Sequence, residues 1–250
     1  MTFVTKVSYA LVLLLAVFLA TAIPGRAQEK SVSITVLVAR TGTVNAKTPG
    51  KAADSSNVAV WLTPLDSTTE THAPVSHPAA PKLVQRNKTF EPHLLIVPVG
   101  TMVEFPNKDP FFHNIFSLYD GKRFDLGLYE AGTTRSVMFD RPGVSFLFCN
   151  IHAAMSAVVV AVDTPYYGLS DRSGTVIIRD VPDGRYQVNV WYERSLPEYL
   201  TGLKRTVTIT DANRNLGVIK IAENQSVSAT HKNKYGMDYV PPPNPEYNRP

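Results

Sequence analysis

Cys149-Asn150-Ile151-His152-Ala153-Ala154-Met155 sets a thiol, an imidazole and a thioether at the spacing C-x2-H-x2-M. The segment lies where one apolar run, Gly143 to Cys149, ends and another, Ser156 to Val162, begins. A tight turn between two such strands can aim all three side chains at one point. His113-Asn114 lies upstream, in the loop expected after the strand Thr101 to Phe105, and offers a second imidazole. One thiolate, two imidazoles and one thioether are the donors of a trigonal His2Cys copper site with a weak axial Met, the kind that passes single electrons. Soft sulfur donors favour Cu(I), and imidazole suits both oxidation states. Donors fixed on a rigid β scaffold change little when an electron arrives or leaves, so transfer is fast.

Each piece also has a plainer reading. A lone C-x2-H in a loop is a weak metal signal, Met155 at the start of a strand reads as core, and His113 beside Phe111 and Phe112 reads as a packed aromatic neighbour. Cys149 by itself reads as a buried structural thiol. The conjunction favours a metal. Cys149 is the one Cys of the chain, so it cannot form an intramolecular disulfide. Zinc competes for His and Cys, but Met is a poor zinc ligand and structural zinc sites use more Cys. A multicopper oxidase needs His-x-His pairs, which His72, His77, His93 and His231 do not form. A binuclear copper site needs two Cys. A Cys149–His152 nucleophile lacks an evident acid to orient it.

A lone thiol matters more if the chain is exported. Lys6 supplies a basic start, Tyr9 to Ala20 is an apolar run of twelve residues, and Gly25-Arg26-Ala27 ends in small residues. Twelve is short against the ~20 residues of a membrane-spanning helix, so residues 1–27 read as a cleaved signal peptide. An uncleaved anchor is the alternative. The 25 basic and 21 acidic side chains give a formal charge of +4. Loss of Lys6 and Arg26 halves that excess. No phosphate-binding stripe is visible, so nucleic acid is not an expected partner, and no membrane span is expected after processing. Asn87-Lys88-Thr89 and Asn224-Gln225-Ser226 are glycosylation sequons, meaningful only in a suitable host.

The elements that must position these residues read as strands nearly throughout. With 250 residues, 44% hydrophobic and 18% charged, the chain is globular, and its 19 Pro and 14 Gly suit short strands and tight turns. Strands are expected at Ser31 to Val38, Val58 to Leu62, Leu94 to Val97, Thr101 to Phe105, Ser136 to Phe139, Gly143 to Cys149 and Ser156 to Val162. A second group covers Thr175 to Arg179, Tyr186 to Glu193, Lys204 to Ile209 and Gly217 to Ile221. One helical turn is expected near Ser195 to Tyr199. Gly42 to Ser56 reads as a polar loop and residues 66–80 as a linker. Residues 222–250 read as a Pro-rich extended or disordered tail, draped over the body through Tyr235 and Tyr239.

The fold class expected is all-β, with two sandwiches. Residues 81–163 suffice for one, whereas 164–221 are thin for a second. Adding the strands of 31–65 fills it, so the first unit reads as inserted into the second. The competing assignment gives 31–65 to the first unit as edge strands.

The stretch 81–163 resembles the cupredoxins, and its C-x2-H-x2-M loop is most similar to that of amicyanin and other plastocyanin-like members. The resemblance is carried by Phe90-Glu91-Pro92, Val97-Pro98-Val99-Gly100, Val103-Glu104-Phe105-Pro106-Asn107-Lys108-Asp109, His113-Asn114 and Pro142-Gly143-Val144-Ser145-Phe146-Leu147-Phe148-Cys149. It implies a Greek-key β-sandwich in which His113, Cys149, His152 and Met155 bind one copper ion, with Asn114 steadying the thiolate from behind. The family's usual Pro after Cys-x is replaced by Ile151. Gly174-Thr175-Val176 and Asp180-Val181-Pro182-Asp183-Gly184-Arg185-Tyr186 resemble the transthyretin-type, regulatory-like sandwich found beside carboxypeptidases, which carries no catalytic group. There Trp191 and the tyrosines read as core.

The expectation is therefore a periplasmic or secreted mononuclear copper protein, not an enzyme, carrying electrons to or from a redox protein such as a c-type cytochrome or a dehydrogenase. An apolar rim of Ile151, Ala153, Ala154, Phe111 and Phe112 around His152 suits a brief, small encounter. Copper storage, delivery or sensing is the first alternative, and a scaffold protein with incidental copper the second.

Overall fold

A computed structural model describes residues 30–40, 54–66, 79–118, 121–224 and 231–239. The expected leader, most of the polar loop and linker, and the final Pro-rich stretch lie outside the described residues. The chain is all-β. In order, the strands are β1 (Val32–Arg40), β2 (Ala59–Pro64), β3 (Val84–Arg86), β4 (Thr89–Glu91), β5 (Leu94–Pro98), β6 (Thr101–Pro106), β7 (His113–Ser117), β8 (Phe124–Tyr129), β9 (Thr134–Phe139), β10 (Gly143–Phe148), β11 (Ser156–Val162), β12 (Tyr167–Leu169), β13 (Thr175–Ile178), β14 (Gly184–Trp191), β15 (Arg205–Ile209) and β16 (Asn215–Glu223). The helix α1 (Pro197–Gly202) is short and starts on a proline, whose missing N–H costs nothing at that position.

The early strands pair with the late ones. β1 runs antiparallel to β13 and parallel to β16, giving the order β13-β1-β16, and β2 lies in the sheet β12-β2-β14-β15. Between these sheets lies one core. Val32, Ile34, Val36 and Val38 point into it from β1, meeting Tyr186, Val188 and Val190 of β14 and Ile219 and Ile221 of β16. Successive strand residues face opposite sides, and this is why alternate valines of β1 are buried.

The middle of the chain builds the sheet β5-β11-β10-β7-β8 and the pairs β3-β4 and β6-β9. Their core holds Val103, Phe105, Ile115, Tyr129, Phe139, Leu147, Cys149, Met155, Ala157, Val159 and Ala161. β11 is apolar on both faces for a specific reason. Ala157, Val159 and Ala161 enter that core, while Val158, Val160 and Val162 form a third cluster with Leu94, Ile96, Ala59, Trp61 and Trp191. The third cluster joins the five-stranded sheet to the sheet holding β2 and β14, so both faces of β11 escape water. Phe146 meets Trp191 there with ring centroids 6.2 Å apart.

Two expectations change. His113 does not lie in a loop but opens strand β7, opposite Tyr129 of β8. All five residues of β7 are buried, so the alternation that marks a half-exposed strand is absent. The strand read as Tyr186 to Glu193 begins at Gly184, because Gly184 and Arg185 pair with Ile209 and Thr208. No helix among the described residues is long and apolar enough to cross a membrane.

Candidate metal centre

Cys149 follows the last residue of β10, and Met155 precedes the first of β11. The turn between them is closed by its own backbone. The Cys149 N–H donates to the Met155 carbonyl at 3.1 Å, and the Met155 N–H donates to the His152 carbonyl at 3.0 Å. This folds His152 back toward the thiol. His152 Nδ1 lies 3.5 Å from Cys149 Sγ. β7, hydrogen-bonded into the same sheet, brings His113 Nδ1 to 3.7 Å from the same sulfur. The donor atoms of His113, Cys149 and His152 lie within 4.8 Å of one another. Met155 is fully buried and belongs to the same apolar cluster as Cys149.

The surroundings favour electron-pair donors over charged side chains. Cys149 and His113 are both 0% exposed. Burial pushes the Cys149 thiol up, and the backbone N–H groups of Asn114, Ile151 and His152 pull it back. Burial pushes His113 down, against the pull of Asp109. Burial, then the neighbouring His113, brings His152 down to about 4. Both imidazoles are therefore neutral at ordinary pH, with one thiol proton for two rings that face it. A soft cation would accept all three electron pairs at once, so the residues present fit a metal ion.

Asp109 settles which nitrogen of His113 is free. His113 Nε2–H donates to the Asp109 carboxylate at 2.7 Å, leaving the Nδ1 lone pair toward the sulfur. The carboxylate is itself fixed, since the Asn87 and Lys88 N–H groups donate to its two oxygens at 2.6 and 3.0 Å. Asn87 and Lys88 adopt positive φ of 54° and 57°, which turns both N–H groups the same way. Burial raises the Asp109 carboxyl, but these donors and His113 hold it below its ordinary value. Asn107 steadies the Asp109 loop, accepting from the Asp109 N–H at 3.0 Å and donating to the Phe111 carbonyl at 2.8 Å.

The Asn114 backbone N–H faces the Cys149 sulfur. Its side chain turns away and donates to Asp125 at 2.7 Å. Phe111 packs against both imidazoles, with centroids 5.2 Å from His113 and 5.7 Å from His152. The plainer reading of His113 as an aromatic neighbour is thus also part of the geometry. His152 is half-buried among exposed Ile151, Ala153, Ala154 and Phe112. Asp109 is the contributor that sequence reasoning passed over. Its signal is present, a carboxylate four residues before an imidazole, but that spacing means little before the turn between them is known.

No family model and no curated protein matches the chain. Among solved structures, a purple cupredoxin from Nitrosopumilus maritimus is 26% identical over 33% of this chain and 99% of its own, at a TM-score of 0.31. A Cu-containing nitrite reductase from Thermus scotoductus is 25% identical over 34% of this chain and 23% of its own, at 0.33. An oxidized mutant of amicyanin is 19% identical over 34% of this chain and 84% of its own, at 0.32. These neighbours are copper proteins, two of them small cupredoxins and one part of an enzyme.

Proposed function

We propose that this chain is an exported mononuclear type 1 copper protein that carries single electrons between redox partners. The observation that carries the reading is the convergence of His113 Nδ1, Cys149 Sγ and His152 Nδ1 within 4.8 Å at a site where both His113 and Cys149 are shut off from water. His113, Cys149 and His152 would hold the ion, Met155 would add a weaker fourth donor, and Asn114 would support the thiolate through its backbone N–H. Copper held there would supply a one-electron Cu(II)/Cu(I) couple.

The chain's own residues explain why such a site would transfer electrons readily. Cys149 directly follows a central strand and His113 opens that strand's neighbour, so one sheet positions two donors. Asp109 fixes the plane and tautomer of His113. The apolar core around Cys149 and Met155 keeps water from adding as a further ligand. His152 reaches the surface inside an apolar rim, where a c-type cytochrome or a dehydrogenase could dock over a small area.

The domain reading follows the same order. Residues 1–27 are the signal peptide, 81–163 the copper unit, and 31–65 with 164–221 a transthyretin-type sandwich into which it is inserted. The strand ladders joining β1 to β13 and β16, and β2 to β14, support that division. The location is periplasmic or extracellular.

The test is metal analysis with a visible spectrum of protein taken from its native compartment. Stoichiometric copper with intense visible charge-transfer absorption is expected, and Cys149→Ala should abolish that absorption. Intense absorption surviving the change would remove Cys149 from the site. A measured potential with electron exchange to a cytochrome separates a carrier from a storage or delivery protein.

A further inference from the structure

Residues 231–239 return to the ligand turn and touch three consecutive residues at its entrance, the last of β10 and the first two of the turn. The His231 ring stacks on Phe148, with centroids 3.9 Å apart and planes 26° apart. The Tyr239 hydroxyl donates to the Cys149 carbonyl at 2.7 Å. The Lys234 backbone N–H donates to Asn150 Oδ1 at 3.0 Å. A further contact reaches the opposite side of the site. Lys234 Nζ lies 2.8 Å from Asp125, the carboxylate that accepts from the Asn114 side chain.

The segment is a formed element. Asn233 Oδ1 accepts from the N–H groups of Tyr235 and Met237 at 2.9 and 3.1 Å. The Gly236 N–H donates to the Asn233 carbonyl at 2.9 Å, and Gly236 takes the positive φ of 76° that this turn needs. Tyr239 and His231 also meet, with the hydroxyl 3.3 Å from Nδ1. The tail thus presents two rings and a backbone donor from one small knot.

The turn it covers has few restraints of its own. Residues 149–155 belong to no strand, and the two backbone bonds that close the turn end on Met155 and His152. Neither restrains the Asn150 side chain or the carbonyl of Cys149. Three backbone N–H groups face the Cys149 sulfur, and those of Ile151 and His152 follow the Cys149 peptide, so a peptide that swings carries two of the sulfur's donors with it. The tail supplies the missing restraint at both places.

We propose that residues 231–239 are a strap that positions the metal-binding turn, with Tyr239 as the positioning residue that fixes the Cys149 peptide and hence two of the N–H groups that face its sulfur. Its mechanical part stands on the contacts alone, and its consequence for the metal rests on the copper reading above.

The experiment uses the full processed chain with Tyr239→Phe, and a chain ending at residue 224 as a second variant. In metal-free protein, hydrogen exchange of peptides covering 149–155 is expected to quicken about threefold to tenfold for Tyr239→Phe, the loss of one hydrogen bond, and more for the truncation. In protein loaded with Cu(II), release to excess EDTA should quicken in the same order, with a shifted visible spectrum. Unchanged exchange in both variants would overturn the strap. Faster exchange with unchanged release and spectrum would overturn its service to the metal. If the unaltered chain takes up no Cu(II), the copper reading falls, while the exchange comparison still decides the strap.

Discussion

The Asp109 carboxylate holds His113 by its outer nitrogen at 2.7 Å while two backbone N–H groups, from Asn87 and Lys88, hold the carboxylate. His113 therefore arrives at the sulfur with its tautomer and ring plane already set. Asp109→Ala should leave the ring free to rotate and to exchange its proton between nitrogens. Removing such a support costs about 10- to 100-fold in metal affinity in comparable sites. A competition titration with a chromophoric copper chelator, run on the unaltered chain and on Asp109→Ala, measures this directly. Equal affinities would mean that the carboxylate serves the fold and not the ligand.

The strands that flank Cys149 and Met155 were legible because β10 and β11 obey simple patterns. Ser156–Val162 is apolar at nearly every position, as a strand covered on both faces must be. β7 and β8 were not legible, and they position His113. β7 is five buried residues including a His, an Asn and a Ser, so no periodicity distinguishes it from a loop. Three of the candidate donors could be proposed from their order along the chain, since a thiol, an imidazole and a thioether three residues apart leave few other uses. Asp109 and Tyr239 could not. One depends on the backbone turn at Asn87-Lys88, and the other lies 90 residues beyond Cys149, where only the folded chain brings them together. The partner sheet of β1 illustrates the same limit. Residue counting argued for it, and the ladder to β13 is a long-range contact that no local pattern records.

His93 ties the sheet that carries His113 to the other sandwich and makes that junction sensitive to pH. Its Nδ1–H donates to the Ser156 carbonyl at 3.1 Å, and its Nε2 lies 2.6 Å from Glu193, just beyond β14. Two acceptors, one of them anionic, favour the doubly protonated ring. Glu193 raises His93 above its ordinary value of 6.5, against partial burial. A raised pKa in the folded state adds stability that is fully present below the unfolded value and fades as pH climbs through the folded one. The ring is 40% exposed, so screening limits the pair to about 0.5–1 kcal/mol. Urea unfolding from pH 6 to pH 9 should show this loss in the unaltered chain and not in Glu193→Gln. Parallel curves for the two proteins would show that the pair contributes nothing to folding.

Gly174 tests whether the second sandwich can be weakened without touching the candidate metal centre. The residue sits at φ of +84°, a region costly for residues with a Cβ, and its carbonyl accepts from the Val36 N–H at 2.8 Å. A Cβ built there would lie 1.9 Å from the Val36 carbonyl oxygen. That oxygen belongs to β1, whose alternate valines fill the sandwich core, so the strand cannot retreat without opening that core. Gly174→Ala combines backbone strain with a displaced strand, and a loss of about 2–4 kcal/mol is expected. A melting curve followed by circular dichroism measures it. Cys149 lies in a different core, with His113 and His152 beside it, so below the melting transition the visible spectrum of the copper-loaded variant should match that of the unaltered chain. A shifted spectrum at temperatures where the variant is still folded would instead show that the junction through Trp191 and Phe146 passes strain from one sandwich to the other.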